Sequence, residues 1–146
     1  MIIFQSYNYS PSLKSNNNEK KSSVQEQTYI PDDNFEAALI SFGYDDVLDD
    51  YVITSNISSL KSLKLNDRQI LDPTGIQDFI ELTDLSFTNN LLTSLDISNN
   101  KALKNLEIND NFLTSIDVSN NTELILFSLY NNNINSIDLT ENLELQ

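Results

Sequence analysis

A repeat of constant length is the feature that most restricts how this chain can fold. Residues 82–144 consist of three consecutive 21-residue copies, 82–102, 103–123 and 124–144, with no insertion or deletion between them. A looser 22-residue copy occupies residues 60–81, and another copy starts at residue 145. A fixed period of roughly 20 to 29 residues with leucines at fixed offsets is typical of a solenoid, in which each copy forms one coil of a stack.

The apolar residues of each copy indicate how one coil is built. Large apolar side chains fill positions 1, 4, 6, 11, 14 and 16, which in the first regular copy are Leu82, Leu85, Phe87, Leu92, Leu95 and Ile97. Positions 4 and 6, and again 14 and 16, alternate with polar residues at the period of a β-strand. We therefore expect a mostly β repeat solenoid with two short parallel strand ladders, in which neighbouring strands lie about 4.8 Å apart.

Position 9 is an asparagine in every regular copy: Asn90, Asn111 and Asn132. With the leucines, these residues give the pattern LxxLxLxxNxL, through which residues 60–146 resemble the leucine-rich-repeat family. The resemblance implies a structural asparagine ladder, in which each side chain points inward and bonds the backbone of a turn. Arg68 takes this position in the looser copy, so we expect the ladder to start at Asn90. The segment LDPTGIQDF, residues 71–79, resembles the convex side of internalin-like short repeats.

Residues 29–59 are predicted to form an N-terminal cap. Asp33 and Glu36 have the spacing of a helix capping box, and Gly43 is a typical helix stop. Between them, three apolar residues fall on one helical face: Phe35, Leu39 and Phe42. A short helix over about residues 34–42 can therefore cover the first coil, whose core is otherwise exposed to water.

Residues 1–28 are polar and lack periodicity, which predicts a disordered leader. Neither the apolar core of a signal peptide nor a run of transmembrane length occurs in the sequence. The phrase YIPDDNFEAALISFGYDDVLDDYV, residues 29–52, resembles the segment that precedes leucine-rich repeats in secreted proteins of Bacteroidetes-type bacteria. That resemblance implies a secreted or cell-surface location and a chain that is a fragment of a longer protein.

The net charge of −14 restricts the kinds of partner. An acidic surface repels nucleic-acid phosphates and anionic lipids, so we expect no nucleic-acid partner and no membrane insertion. One acidic group, Asp45, Asp46, Asp49 and Asp50, suggests either a calcium site or a solvated turn. Its spacing differs from that of an EF-hand loop, which favours the solvated turn and predicts no bound metal.

A second acidic feature follows the repeat itself. Position 15 is aspartate in each regular copy, Asp96, Asp117 and Asp138, and strand alternation directs it outward. Stacking places these like charges in one column, where they repel one another. We expect this column to be solvated, hydrogen-bonded by Ser98, Ser119 and Thr140 or by backbone amides, or bridged by cations.

The composition argues against enzyme chemistry. The chain has no histidine, cysteine or tryptophan, which removes the usual general base, the thiol nucleophile and most transition-metal sites. No glycine-rich phosphate loop is present, and we predict no cofactor and no catalytic residue. A hydrolase that uses a pair of carboxylates is only the third functional hypothesis, after the two described next.

Binding through the concave face is the first functional hypothesis. Outward positions of the first strand of each coil line this face, and the predicted binding residues among them are Asn105, Glu107, Asn109, Leu126, Ser128 and Tyr130. Leu126 and Tyr130 stand out, because exposed apolar and aromatic side chains often contribute much of an interface's binding energy. The sequence thus predicts a non-catalytic binding or adhesion module for a protein or a glycan. The alternative is a purely structural spacer, and the uncapped C-terminal copy predicts self-association.

Overall fold

The computed structural model describes residues 24–146. Along the chain lie strand β1 (Gln27–Tyr29), helix α1 (Asp33–Phe42), strand β2 (Tyr51–Ile53), the one-turn helix α2 (Thr54–Ile57) and strand β3 (Ser62–Lys64). A short 3-10 helix (Ile76–Asp78) is followed by β4 (Asp84–Ser86), β5 (Asn105–Glu107) and β6 (Leu126–Ser128). Strands β1 and β2 form an antiparallel pair, and β3, β4, β5 and β6 form one parallel sheet in that order. Most of the predicted leader, residues 1–23, lies outside the described residues.

The parallel sheet takes one strand from each coil at the same position of the repeat. Leu63 pairs with Leu85, Leu85 with Leu106, and Leu106 with Phe127. These residues occupy position 4, and their side chains turn into the core, where the first three of the four are buried. The predicted repeat solenoid with stacked parallel strands and a helical cap is confirmed.

The second predicted strand ladder is not present among the described residues. Positions 14 and 16 do contribute to the core, since Leu95, Ile97 and Val118 are buried. However, no strand is assigned there, and no backbone hydrogen bond joins residues 93–99 to residues 114–120. The alternating pattern reflected burial of one face, which an extended segment achieves without strand pairing. Coils that pair on one side only lie closer together on that side, which places the sheet on the concave face.

Asparagine side chains at position 9 connect each coil to the one before it. Asn111 donates from Nδ2 to the carbonyls of Phe87 (2.9 Å) and Ile108 (3.2 Å), and its Oδ1 accepts from the N–H of Leu92 at 3.0 Å. Asn90 and Asn132 make the corresponding bonds in their own coils. Each side chain thus satisfies turn groups from two coils, which would otherwise be buried without partners.

A second asparagine ladder, at position 19, was missed by sequence reasoning. Asn121 donates to the carbonyls of Ile97 (3.0 Å) and Asn100 (2.9 Å), and Asn100 and Asn142 bond the preceding coil in the same way. All three side chains are buried. The signal was available, because this position is asparagine in every regular copy. These bonds join the coils on the side where the backbone strands do not pair.

The tight turn after each strand requires a left-handed backbone conformation. Position 8 has a φ between 53° and 58° in all four coils, where the residues are Asp67, Asn89, Asp110 and Asn131. Asparagine and aspartate adopt this region more readily than other residues with a side chain. The repeats can therefore turn at this point without glycine.

The capping of α1 differs from the prediction. Asp32, not Asp33, is the N-cap, and its Oδ1 accepts from the N–H groups of Asn34 and Phe35, both at 3.0 Å. Its Oδ2 accepts from the N–H groups of Leu71 (2.8 Å) and Asp72 (3.0 Å) in the first coil. The same carboxylate therefore caps the helix and attaches it to the solenoid, a long-range role that local spacing does not reveal.

Glu36 does not complete a capping box either. Its carboxylate is fully buried and accepts from the N–H groups of Asp49 (3.0 Å), Asp50 (3.1 Å) and Tyr51 (3.1 Å). Charge-assisted bonds of this kind offset the cost of burying the carboxylate. Glu36 thus shapes the acidic loop 45–50 from inside the cap.

The cap packs on the first coils through aromatic side chains. Phe35 of α1 lies 6.0 Å, centroid to centroid, from both Phe79 and Phe87. Gly43 ends the helix with φ 80°, as predicted. Phe42, which was expected on the buried face, is 38% exposed because it is the last helical residue and lies at the edge of the contact. The ordered cap begins at Gln27, two residues before the predicted boundary, since β1 pairs with β2.

The last coil is less well covered than those before it. Its apolar residues Phe127, Leu129, Ile134 and Ile137 are only partly buried, and Leu139 is exposed. Gln146 donates its N–H to the carbonyl of Ile125 at 3.1 Å. This bond is equivalent to the one that the Ile125 N–H makes to the Lys104 carbonyl one coil earlier. No helix in the described residues is long and apolar enough to cross a membrane.

Both asparagine ladders can be tested by substitution. We expect Asn111→Ala and Asn121→Ala each to lower the free energy of unfolding by about 1–3 kcal/mol, because each leaves buried carbonyls without a donor. Asn120→Ala, at the exposed neighbouring position, is the matched control and is expected to change it by about 0.5 kcal/mol or less. Urea unfolding at unchanged slope measures all three; equal midpoints would contradict both assignments.

Candidate functional site

The concave surface of the parallel sheet presents two outward side chains per strand. Because side chains alternate across a strand, position 4 enters the core and positions 3 and 5 point outward. The pairs are Ser62 and Lys64, Asp84 and Ser86, Asn105 and Glu107, and Leu126 and Ser128. Their backbones are fixed by ladder bonds on both sides, except at β3 and β6, which form the sheet edges.

A groove of about 270 Å³ crosses this surface. Eight residues line it: Lys64, Asn66, Asp84, Leu85, Ser86, Asn105, Glu107 and Leu126. It therefore brings together three of the predicted binding residues, Asn105, Glu107 and Leu126. Ser128 and Tyr130 lie outside the lining but belong to the same strand and the turn that follows it. Lys64 and Asp84 were recognisable as outward residues of the pattern, yet only the structure shows that they share a groove with Glu107.

Asp84 is held in its ionised form. Its carboxylate accepts from the Thr83 hydroxyl at 2.6 Å and from Asn105 Nδ2 at 2.5 Å. These two hydrogen bonds, with a smaller contribution from the positive charge of Lys64, lower the pKa of Asp84 below its ordinary value. Asn105 is thereby partly engaged, and its first role is to orient this carboxylate.

Glu107 is less constrained than Asp84. Among the described residues, its side chain has one hydrogen-bond partner, the Ser86 hydroxyl at 3.5 Å, and that hydroxyl donates at the shorter distance of 2.6 Å to Asn66 Oδ1. The Glu107 side chain is exposed and forms no salt bridge with a described residue. Its carboxylate is therefore available to a cation or a hydrogen-bond donor on a partner.

Asn109 does not belong to the accessible face. It is only 7% exposed, and its Oδ1 accepts from the Ser128 hydroxyl (2.7 Å) and the Tyr130 N–H (3.1 Å). Asn66 has the same role two coils earlier, where it accepts from Ser86 and Thr88. The outward alternation ends with the strand, so position 7 turns back towards the next coil. Asn109 is thus a structural residue and not the binding residue that the pattern predicted.

Two large apolar residues remain exposed at the C-terminal end of the face. Leu126 is 56% exposed and Tyr130 is 59% exposed. Their backbones are bonded to the preceding coil, Leu126 through its N–H to Lys104 and Tyr130 through its N–H to Asn109. Both side chains are thus presented from an ordered backbone.

The carboxylates of the aspartate column, on the opposite side of the solenoid, accept hydrogen bonds from nearby backbone N–H groups. Asp96, Asp117 and Asp138 accept from the N–H groups of Ser98, Ser119 and Thr140 at 2.9–3.0 Å. These bonds lower the pKa of all three carboxyl groups; desolvation opposes them more weakly, as does repulsion from Asp117 at Asp96 and Asp138. Among the described residues, no group of three acidic side chains is arranged to hold a metal ion, in this column or in the cluster at 45–50. Burial raises the pKa of Asp45.

Comparison with known proteins supports the assignment of the fold. No protein-family model matches the chain. Internalin J of Listeria monocytogenes is 35% identical over 72 residues, which are 49% of this chain. The solved functional domain of that protein superposes with a TM-score of 0.75 at 30% identity over 84% of this chain. The fold is a leucine-rich-repeat solenoid.

Two further solved leucine-rich-repeat structures are similar. An internalin of L. monocytogenes, InlF, matches 80% of the chain with a TM-score of 0.69 at 26% identity. A leucine-rich-repeat protein of Leptospira interrogans matches 62% with a TM-score of 0.60 at 23% identity, which supports the fold alone. The chain spans 8% of the curated internalin J and 28% of its solved domain. That domain includes a cysteine ladder, whereas this leucine-rich-repeat chain has no cysteine.

The hydrogen-bonded aspartate column predicts a specific dependence of stability on pH. The pKa of each carboxyl group is lower in the folded state than its unfolded value of 3.8. The stability that each ionised carboxylate contributes is therefore fully present above pH 3.8. It is lost as the pH falls from 3.8 through the lower pKa of the folded state. We expect the melting temperature to drop over this range. The triple variant Asp96→Asn, Asp117→Asn, Asp138→Asn should show a shallower drop, since an amide oxygen accepts the same bonds without titrating.

A charge-matched control separates this effect from general repulsion. The triple variant Glu26→Gln, Glu141→Gln, Glu144→Gln removes the same number of negative charges from exposed positions. It is expected to follow the wild-type curve more closely than the aspartate variant does. Superimposable melting curves of wild type and aspartate variant between about pH 4 and pH 2 would contradict the proposed stabilisation.

Proposed function

We propose that this leucine-rich-repeat chain is a non-catalytic binding module that recognises a protein partner on its concave face. The observation that supports this most directly is the exposure of Leu126 and Tyr130 beside the groove that contains Asp84 and Glu107. Side chains held by a paired backbone lose little conformational freedom on binding. Tyrosine is enriched among interface hot spots, and the exposed Leu126 side chain adds apolar area to the same face.

The shape of the face favours a partner that lies across it. A groove of about 270 Å³ is below the roughly 300–1,000 Å³ usual for pockets that enclose small ligands. The outward residues change along the stack, from Lys64 through Asp84 and Glu107 to Leu126. A protein surface with a cationic group next to an apolar one complements this order. The charged groups then set orientation, and the apolar groups contribute most of the affinity.

The same groove is poorly suited to hydrolysis. A carboxylate-based glycosidase needs one carboxylic acid with a raised pKa to protonate the leaving group. The pKa of Asp84 is instead lowered by its hydrogen bonds. Asp45, whose pKa is raised, lies in the cap and does not line the groove. We therefore place a binding role ahead of the hydrolase.

Resemblance to the internalins supports a proposal for the compartment of this module. We propose that the chain works at the bacterial surface or in the extracellular medium, within a longer protein. The high content of polar hydrogen-bonded turns is compatible with a rigid spacer, which is the second candidate function. A spacer has no need for Leu126 and Tyr130 to be exposed on one face.

The proposal is tested by locating the binding energy. The biotinylated chain is used to probe arrays of extracellular proteins and of glycans, and the affinity of the strongest binder is then measured by biolayer interferometry. We expect a protein ligand, and we expect Leu126→Ser with Tyr130→Ser to weaken it by at least tenfold, about 1.4 kcal/mol. Circular dichroism should show an unchanged fold, because both side chains are exposed.

The control lies on the opposite side of the solenoid. Asp96→Asn with Asp117→Asn changes two exposed residues far from the groove and is expected to leave the affinity within about twofold of wild type. The opposite ranking of the two double variants would place the site on the convex side. Absence of specific binding on both arrays would support the spacer.

A further inference from the structure

A second surface site lies between the cap and the first coil. Phe42 ends α1, and Gly43 reverses the chain so that the Tyr44 ring meets the Phe42 ring edge-on, with centroids 6.1 Å apart. Strand β3 runs beside them. Together Phe42, Tyr44, Ser62, Leu63 and Lys64 line a depression of about 210 Å³. Asn56 donates from Nδ2 to the Tyr44 carbonyl at 3.0 Å, which fixes the backbone at Tyr44.

Two cations flank this depression. Lys64 belongs to its lining, and the guanidinium carbon of Arg68 lies 5.3 Å from the centroid of the Phe42 ring, a cation–π contact. Neither forms a salt bridge with a described carboxylate, whereas Lys61 bonds Glu81 at 2.7 Å. Unpaired cations are notable in a chain whose acidic residues outnumber its basic ones by 22 to 8. The negative end of the α1 dipole, roughly half a charge, offsets only a fraction of two full positive charges.

We propose that this depression binds one acidic sugar residue, a pyranose ring that carries a carboxylate. Arg68 lies over the Phe42 ring, so the apolar C–H face of such a sugar can contact the part of Phe42 that stays exposed and the neighbouring Tyr44 ring. Arg68 and Lys64 can then pair with its carboxylate, and the Ser62 hydroxyl can bond a ring hydroxyl. The volume is below that of pockets for drug-sized ligands, which matches a single ring.

The charge of the protein restricts the ligand further. A polyanion would approach a molecule with net charge −14 and would be repelled by every coil beyond the first. A single carboxylate on an otherwise neutral glycan interacts with the local cations within a Debye length, about 8 Å in physiological salt. The site is therefore suited to an isolated acidic residue, such as the end of a glycan chain. The site shares Lys64 with the groove on the concave face but contains neither Leu126 nor Tyr130, so variants at Phe42 and Arg68 test it independently of the proposed protein-binding function.

The test is a titration followed by heteronuclear NMR. The probe is methyl β-glucuronide, and methyl β-glucoside, which lacks the carboxylate, is the matched neutral control. We expect saturable amide shifts at Tyr44, Ser62 and Lys64 with the glucuronide, at least tenfold tighter than with the glucoside. Sodium acetate, which supplies the carboxylate without the ring, is expected to bind at least tenfold more weakly than the glucuronide.

Variants assign the site to its residues. Arg68→Gln and Phe42→Ala should each weaken glucuronide binding at least fivefold, whereas Lys101→Gln removes an equivalent exposed cation from another coil and should have no effect. Leu126→Ser with Tyr130→Ser should also leave it unchanged. Equal affinity for glucuronide and glucoside, equal affinity for acetate, or full binding by folded Arg68→Gln would each overturn the proposal.

Discussion

Side-chain amides that replace missing backbone partners are the interaction on which this solenoid depends. Each coil has to turn twice within 21 residues, and each turn leaves buried N–H and C=O groups that neither a helix nor a sheet can satisfy. Asn111 supplies these partners on one side of the coil, and Asn121 does so on the other. Because each of these asparagines bonds groups of the neighbouring coil, the ladders also fix the distance and register between coils. The apolar core then fills the space between two hydrogen-bonded edges.

The cap follows the same rule with charged residues. One oxygen of the Asp32 carboxylate accepts hydrogen bonds from the first turn of α1, and the other accepts them from the first coil. The buried Glu36 carboxylate accepts hydrogen bonds from the backbone of the acidic loop. A leucine-rich-repeat array has no internal reason to start at a given place, so such bonds determine where the stack begins. Phe35 completes the junction by packing between Phe79 and Phe87.

The two proposed binding sites lie where the repeat is not uniform. A strictly regular concave face would offer identical small polar residues on each strand and little to distinguish one partner from another. In this chain, the departures from regularity are Lys64, Asp84, Glu107 and Leu126, which share one groove, and Phe42 with Arg68 at the junction with the cap. Rigid coils allow such differences to accumulate, since an outward substitution does not disturb the core that the inward positions form.

The sequence alone determined the repeat length, the strand register, the inward asparagines at position 9 and the exposure of Leu126 and Tyr130, because all of these follow from periodicity within one copy. Contacts between distant residues were decided by the tertiary structure. Alternation could not show that the second extended segment lacks a pairing strand, or that Asn109 turns inward. Nor could local pattern show the hydrogen bond between Asp32 and Leu71, which are 39 positions apart in the sequence. Local pattern records which side of the chain is buried, but only the stacked coils decide which partner each buried group meets.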